Sequence, residues 1–134
     1  MLTPDQINQV IEAIKERYVL TEKNFNMSDN REQKKYDFLE NILTQVCVYY
    51  SVPREYLNKS GKGDKIKMRL IYYQLARELP EEPISYKLIG KTVGLDHATV
   101  HSALVKFPYR FKHEFEVKAE YLAIKEMVNK SLAL

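Results

Sequence analysis

The chain has only four glycines and five prolines in 134 residues, and one cysteine. The lone Cys47 has no partner for an internal disulfide, so nothing in its cysteine usage points to an oxidising compartment. Cys47 shares an apolar stripe with Val46 and Tyr50, where a buried structural thiol is expected. No apolar run approaches the roughly 20 residues that span a bilayer, and the first residues lack a signal-peptide layout. The chain therefore reads as soluble and cytoplasmic, with no membrane partner. Catalytic signatures are missing as well. Gly61-Lys62-Gly63-Asp64-Lys65 contains glycine and lysine, but it lacks the strand and the spacing of a phosphate-binding P-loop. His97 and His101 stand four residues apart, yet no cysteine is near and there is no His-Glu-x-x-His pattern. No nucleophile occupies a recognisable turn. The expectation is a non-enzymatic protein without metal or cofactor.

What is present is helical periodicity. With 45% hydrophobic residues the chain can build a core, and long stretches repeat their apolar positions every three or four residues. The spacing predicts an all-α fold with about six helical segments. Thr3-Pro4-Asp5-Gln6 opens a first helix from Pro4 to Tyr18, with Ile7, Val10, Ile11 and Ile14 on one face. Leu20 to Asn30 is polar and aperiodic, a candidate linker. A second helix is predicted from Arg31 to Tyr50, with Tyr36, Leu39, Leu43, Val46, Cys47 and Tyr50 on its apolar face. A turn around Pro53 and the Gly61/Gly63 loop follow, then a helix from Lys65 to Leu79 that stops at Pro80. Beyond Phe107-Pro108, a last amphipathic helix is predicted from Arg110 to Asn129, with Phe111, Phe115, Leu122 and Met127 among its apolar positions. The ten tyrosines are the compositional oddity; Tyr49, Tyr50, Tyr72 and Tyr73 are expected to pack their rings while their hydroxyls stay wet.

Residues 84 to 106 carry the most functional information. Ile84, Leu88, Ile89 and Val93 recur at helical spacing, and Gly94 can take the left-handed conformation that ends a helix. Asp96 then sits where an N-cap belongs, and Val100, Ala103, Leu104 and Phe107 form the buried stripe of a second helix. Two helices joined this tightly make a helix-turn-helix unit, whose second helix can enter the DNA major groove. The residues left exposed at its start, His97, Ala98, Thr99, His101 and Ser102, are small or hydrogen-bonding. Gly90 is expected to permit close helix packing. Charge follows the same segment: residues 1–50 sum to −2, residues 51–107 to +4 and residues 108–134 to +1. Arg54, Lys59, Lys62, Lys65, Lys67 and Arg69 oppose only Glu55 and Asp64, a basic stretch suited to the phosphate part of DNA affinity.

Ile89-Gly90, Val93-Gly94 and Asp96-His97-Ala98-Thr99-Val100 resemble the signature of the C-terminal DNA-binding domain of the DnaA replication initiator. The similarity extends through Gln74-Leu75-Ala76-Arg77-Glu78-Leu79 and through Ile42 to Leu57, covering about residues 38 to 107. The family's Gly-Gly-Arg before the aspartate is here Gly94-Leu95, and the basic loop holds lysine where the family holds arginine. Lysine lacks the planar fork that reads bases bidentately. The resemblance therefore implies the fold and the DNA-binding class rather than the family's own target sequence.

It implies a DnaA C-terminal-like, Trp-repressor-like helix-turn-helix over residues 31–107. An N-terminal helix and linker would precede it at 1–30, and a C-terminal helix would follow at 108–134. Asp96, His97, Ala98 and Thr99 are the expected base contacts, with Asp96 also capping the helix. Lys59, Lys62, Lys65, Ser85, Lys87, Lys91 and Ser102 are expected near the DNA backbone. The expected partner is double-stranded DNA, in replication initiation or its regulation, with a possible replication or regulatory protein beside it. A homodimer through residues 4–18 and 110–129 would read two half-sites. The alternatives are a transcriptional regulator of a phage or mobile element, and an interaction adaptor that keeps the fold without binding DNA.

Overall fold

Leu39, Ile42, Leu43 and Val46 are wholly buried and follow one another at helical spacing, which fixes the inward face of the first described helix. The computed structural model describes residues 27–58 and 63–133. The helix expected at 4–18, and Lys59 and Lys62, lie outside the described residues. Among the described residues the chain is all-α, without strands: α1 Met27–Tyr50, a 3-10 turn Arg54–Leu57, α2 Asp64–Glu78, α3 Tyr86–Thr92, α4 His97–His113 and α5 Phe115–Ala133. Residues 36–134 form a compact unit, and α1 begins in the unit before it. The start of α1 at Met27 takes in the end of the predicted linker. Extending an existing helix into polar residues costs little once its nucleus is made.

The end of α1 is built by its backbone. Val52 N–H donates to Cys47 O at 3.0 Å and Ser51 N–H to Val48 O at 3.1 Å, with Ser51 in the left-handed region at φ 56°. Glycine does this task without strain. Cys47 is a buried free thiol, as its stripe predicts, and burial pushes its pKa up. Next, α2 is the central helix. Met68 to Tyr73, Leu75 and Ala76 are buried in near-unbroken succession, the pattern of a helix covered on most sides.

Two tyrosines depart from the expectation of wet hydroxyls. Tyr72 and Tyr73 are buried at 0% and 2% exposure, and the Tyr72 hydroxyl is bonded to Thr92 Oγ1 at 2.6 Å. Tyr50 instead donates to Glu120 Oε1 at 2.5 Å, tying α1 to α5.

The C-terminal half differs from the periodicity reading. Helix α4 runs through Pro108 to His113, and the last helix starts at Phe115 rather than Arg110. Proline inside a helix removes one hydrogen bond and normally costs about 3 kcal/mol. Here Pro108 is exposed, while its neighbours hold the helix in place. The ring centroids of Phe107 and Phe111 lie 5.2 and 5.6 Å from that of Tyr121. The chain breaks at Glu114, whose carboxylate takes Arg110 Nε and Nη2 at 3.0 and 2.8 Å. The inward face of α5 also differs from the expected apolar positions. Val117, Tyr121, Ile124 and Val128 are buried, whereas Phe115 is 82% and Leu122 48% exposed. Glu78 completes the seam by accepting from the Tyr121 hydroxyl and, at 2.5 Å, from Lys125 Nζ.

Phase can be tested directly. Ile124→Ala is expected to cost about 2–5 kcal/mol through reduced burial and the cavity left behind. Leu122→Ala is expected to stay within about 0.5 kcal/mol. Urea denaturation of the two variants checks the assignment, and equal losses would return α5 to the face predicted from the sequence.

Candidate nucleic-acid interface

The candidate site is the junction of α3 and α4. Ser85 caps α3, its Oγ accepting from Leu88 N–H at 3.1 Å, so the side chain expected near a phosphate already has a structural task. The far end of α3 closes on itself: Leu95 N–H donates to Gly90 O at 2.9 Å and Gly94 N–H to Lys91 O at 3.2 Å, with Gly94 at φ 73°. This left-handed termination is the one the sequence places there. Gly90 has a second, independent requirement. A Cβ added to it would stand 2.5 Å from Leu95 O and 3.0 Å from Asp96 O, so only hydrogen fits against the turn.

Asp96 caps α4. Its Oδ1 accepts from Thr99 N–H at 2.9 Å and from Thr99 Oγ1 at 2.8 Å. The Thr99 hydroxyl hydrogen is thereby used, leaving that side chain its lone pairs and its methyl group for any external contact. Donation from Thr99, backbone N–H first, holds the Asp96 carboxyl below the usual aspartate range. His97, Ala98, Thr99, His101 and Ser102 are all exposed. His101 is nonetheless positioned: its ring lies 5.6 Å from that of Tyr86, and the Arg77 guanidinium covers Tyr86 at 4.4 Å while donating to Ile84 O.

The expected contact residues fall into groups. Lys87, Lys91, Asp96 and His97 line one hollow of about 540 Å³ beside the turn. Asp96, Ala98, Thr99 and Ser102 line a second, of about 520 Å³, between α4 and α2. Lys65 is half-buried with its Nζ 4.6 Å from the centroid of the Tyr56 ring, and no described contact brings it to α4.

The basic stretch divides as well. Arg54 is held by Glu40 at 3.0 Å and donates to Thr92 O at 2.7 Å; Lys67 lies 3.1 Å from Glu120 and 3.5 Å from Glu116; Arg69 is buried. Arg54 and Lys67 are thus paired within the fold, and Arg69 is withdrawn from the surface.

Sequence reading missed Tyr73, Lys106 and Arg110, which line the second hollow, and took Arg69, which lines it too, only as part of the basic stretch. A signal existed: Ala98, Ser102, Lys106 and Arg110 repeat every fourth residue and so share one face of α4. Among the described residues no group of three His, Cys, Asp or Glu side chains could hold a metal, and no helix is long and apolar enough to cross a membrane.

Two outcomes follow from the junction. Gly90→Ala gains up to about 1 kcal/mol of helix propensity, but overlap with backbone oxygens is expected to outweigh it by about 1–3 kcal/mol. The thermal midpoint should therefore fall, and a rise would refute the close approach. The depressed pKa of Asp96 means that its capping contribution is fully present above the ordinary aspartate value and lost as pH falls through the lower folded value. The gap in thermal midpoint between the parent and Asp96→Ala should thus be open at neutral pH and close below about pH 4.

Comparison with protein families, with curated proteins and with solved structures finds no match for this chain.

Proposed function

We propose that this chain is a sequence-specific double-stranded DNA-binding protein acting in replication initiation or its regulation. In this reading α3 and α4 are the helix-turn-helix and α4 is the reading helix. The observation that carries the reading is the first turn of α4. It is capped from within by Asp96, leaves His97, Ala98 and Thr99 exposed, and is flanked by Lys87 and Lys91 across one hollow. Small and hydrogen-bonding groups at a helix start can approach base edges, and flanking ammonium groups can neutralise phosphates. His97 and Ala98 are the principal base contacts, with Thr99 contributing its methyl and acceptor. Lys65 would supply a contact to flanking backbone, and no metal or cofactor takes part. A homodimer would draw on the exposed Phe115 and Leu122 of α5, because Val117, Tyr121, Ile124 and Val128 are already buried.

One observation favours the adaptor reading. Val105, Tyr109 and Phe115 are 64%, 66% and 82% exposed, large apolar side chains that a protein partner would cover.

Selection of bound sites from random duplexes, followed by affinity against salt, separates the two. For the DNA reading, His97→Ala should weaken the selected site by about 1–3 kcal/mol and leave the thermal midpoint unchanged. Joint replacement of Lys87 and Lys91 by Gln should make the slope of log affinity against log salt shallower, by about 0.9 for each phosphate no longer neutralised. Absence of salt-dependent duplex binding by the parent would leave the adaptor.

A further inference from the structure

The hollow between α2 and α4 is more than a flank of the reading helix. Its volume of about 520 Å³ falls within the roughly 300–1,000 Å³ of small-molecule sites. Ile66 and Leu70 supply an apolar wall from α2, Ala103 one from α4, and Leu95 closes the turn side. Two polar residues also line it from deep within the fold. Arg69 is 5% exposed and Tyr73 is 2% exposed. Arg69 Nη1 donates to Leu57 O at 3.2 Å, and among the described residues no carboxylate lies within ion-pair distance of it.

The Tyr73 hydroxyl is buried without a hydrogen-bond partner. Arg69 lowers the phenol's pKa through its charge and a marginal hydrogen-bonding contact, and the Asp96 carboxylate raises it. Burial outweighs Arg69 and holds the pKa above the ordinary value, so the group is an O–H donor at neutral pH. Buried polar groups are almost always satisfied, and a cation beside an unused hydroxyl calls for an oxyanion. Lys106 adds positive charge to the lining, whereas Arg110 is engaged with Glu114 and the Asp96 carboxylate with Thr99.

We propose that this cavity binds a small amphipathic anion. Its phosphate or carboxylate would rest on Arg69 and Tyr73, and its apolar body would lie against Leu70, Leu95 and Ala103. Ala98, Thr99 and Ser102 also line the cavity, so an occupant touches the helix assigned to base reading. That regulatory consequence rests on the DNA reading; the binding itself does not.

Phenyl phosphate is the probe, titrated into the full chain by calorimetry and by backbone amide shifts. The expected result is saturable binding, tighter than that of inorganic phosphate, with shifts confined to α2, the turn and α4. Tyr73→Phe removes only an unpartnered oxygen, so it should leave the thermal midpoint unchanged while weakening phenyl phosphate about tenfold. Arg69→Met keeps the apolar stem and should abolish binding, with circular dichroism verifying the fold. No saturation at millimolar phenyl phosphate overturns the proposal, as does equal affinity for inorganic phosphate with no effect of Tyr73→Phe. Duplex titration is the separate arm. If Tyr73→Phe weakens duplex while phenyl phosphate does not bind, the seat belongs to a DNA phosphate; the small-anion proposal falls and the DNA reading stands. If phenyl phosphate binds and duplex does not, the DNA reading falls and this proposal stands.

Discussion

The junction depends on how the end of α3 is satisfied. A helix terminus leaves carbonyls without internal partners, and the Thr92 carbonyl takes Arg54 Nη2 at 2.7 Å. The same guanidinium is paired with Glu40 through two hydrogen bonds of 3.1 and 3.0 Å. Thr92 Oγ1 meanwhile donates to Ile89 O and shares a 2.6 Å bond with the Tyr72 hydroxyl. Side chains from the 3-10 turn and α2 thus converge on Thr92, and Glu40 of α1 holds the first of them in place. A hydrogen bond to a charged group contributes about 1.5–3 kcal/mol when shielded. The Arg54 and Glu40 side chains are each 31% exposed, so solvent screening brings this pair toward the low end. Its larger effect is geometric, since it fixes where α3 stops and therefore where the turn begins.

From that fixed end the exposure of the next helix follows. Gly94 reverses the chain, Asp96 caps, and the polar first turn of α4 faces outward because Val100 and Phe107 face the core. The Arg77–Tyr86–His101 stack ties the open side of the same pair. Rigid presentation of a few side chains is what recognition asks of a scaffold. The internal hydrogen bonds at Asp96, Ser85 and Thr99 show how much of the polar chemistry on that surface is spent on building it.

Much of this is legible in the sequence. Gly94 and Asp96 announce a stop and a start because left-handed backbone and unsatisfied N–H groups each admit few residue types. Gly90 reads as a packing glycine, and the backbone oxygens 2.5 and 3.0 Å from where a methyl group would stand give the reason. Illegible are effects decided by distant partners. A local rule makes Pro108 a boundary, yet the aromatic cluster around Tyr121 holds the helix through it. Arg54, Lys67 and Arg69 count as basic-loop charge in one dimension, and in three dimensions they meet Glu40, Glu116, Glu120 and the Leu57 carbonyl. Composition records a charge without recording its partner.

The contact at Gly90 has a consequence for how such a surface can diversify. Because the α-carbon of one helix rests against the backbone leading into the next, the rotational phase of α3 is geared to the starting point of α4. Adding a residue to the turn would strip that gear and re-aim every exposed side chain together. Changing His97, Ala98 or Ser102 leaves it meshed. The architecture separates aim from content: the two can vary on different schedules, and only content is free to vary one residue at a time.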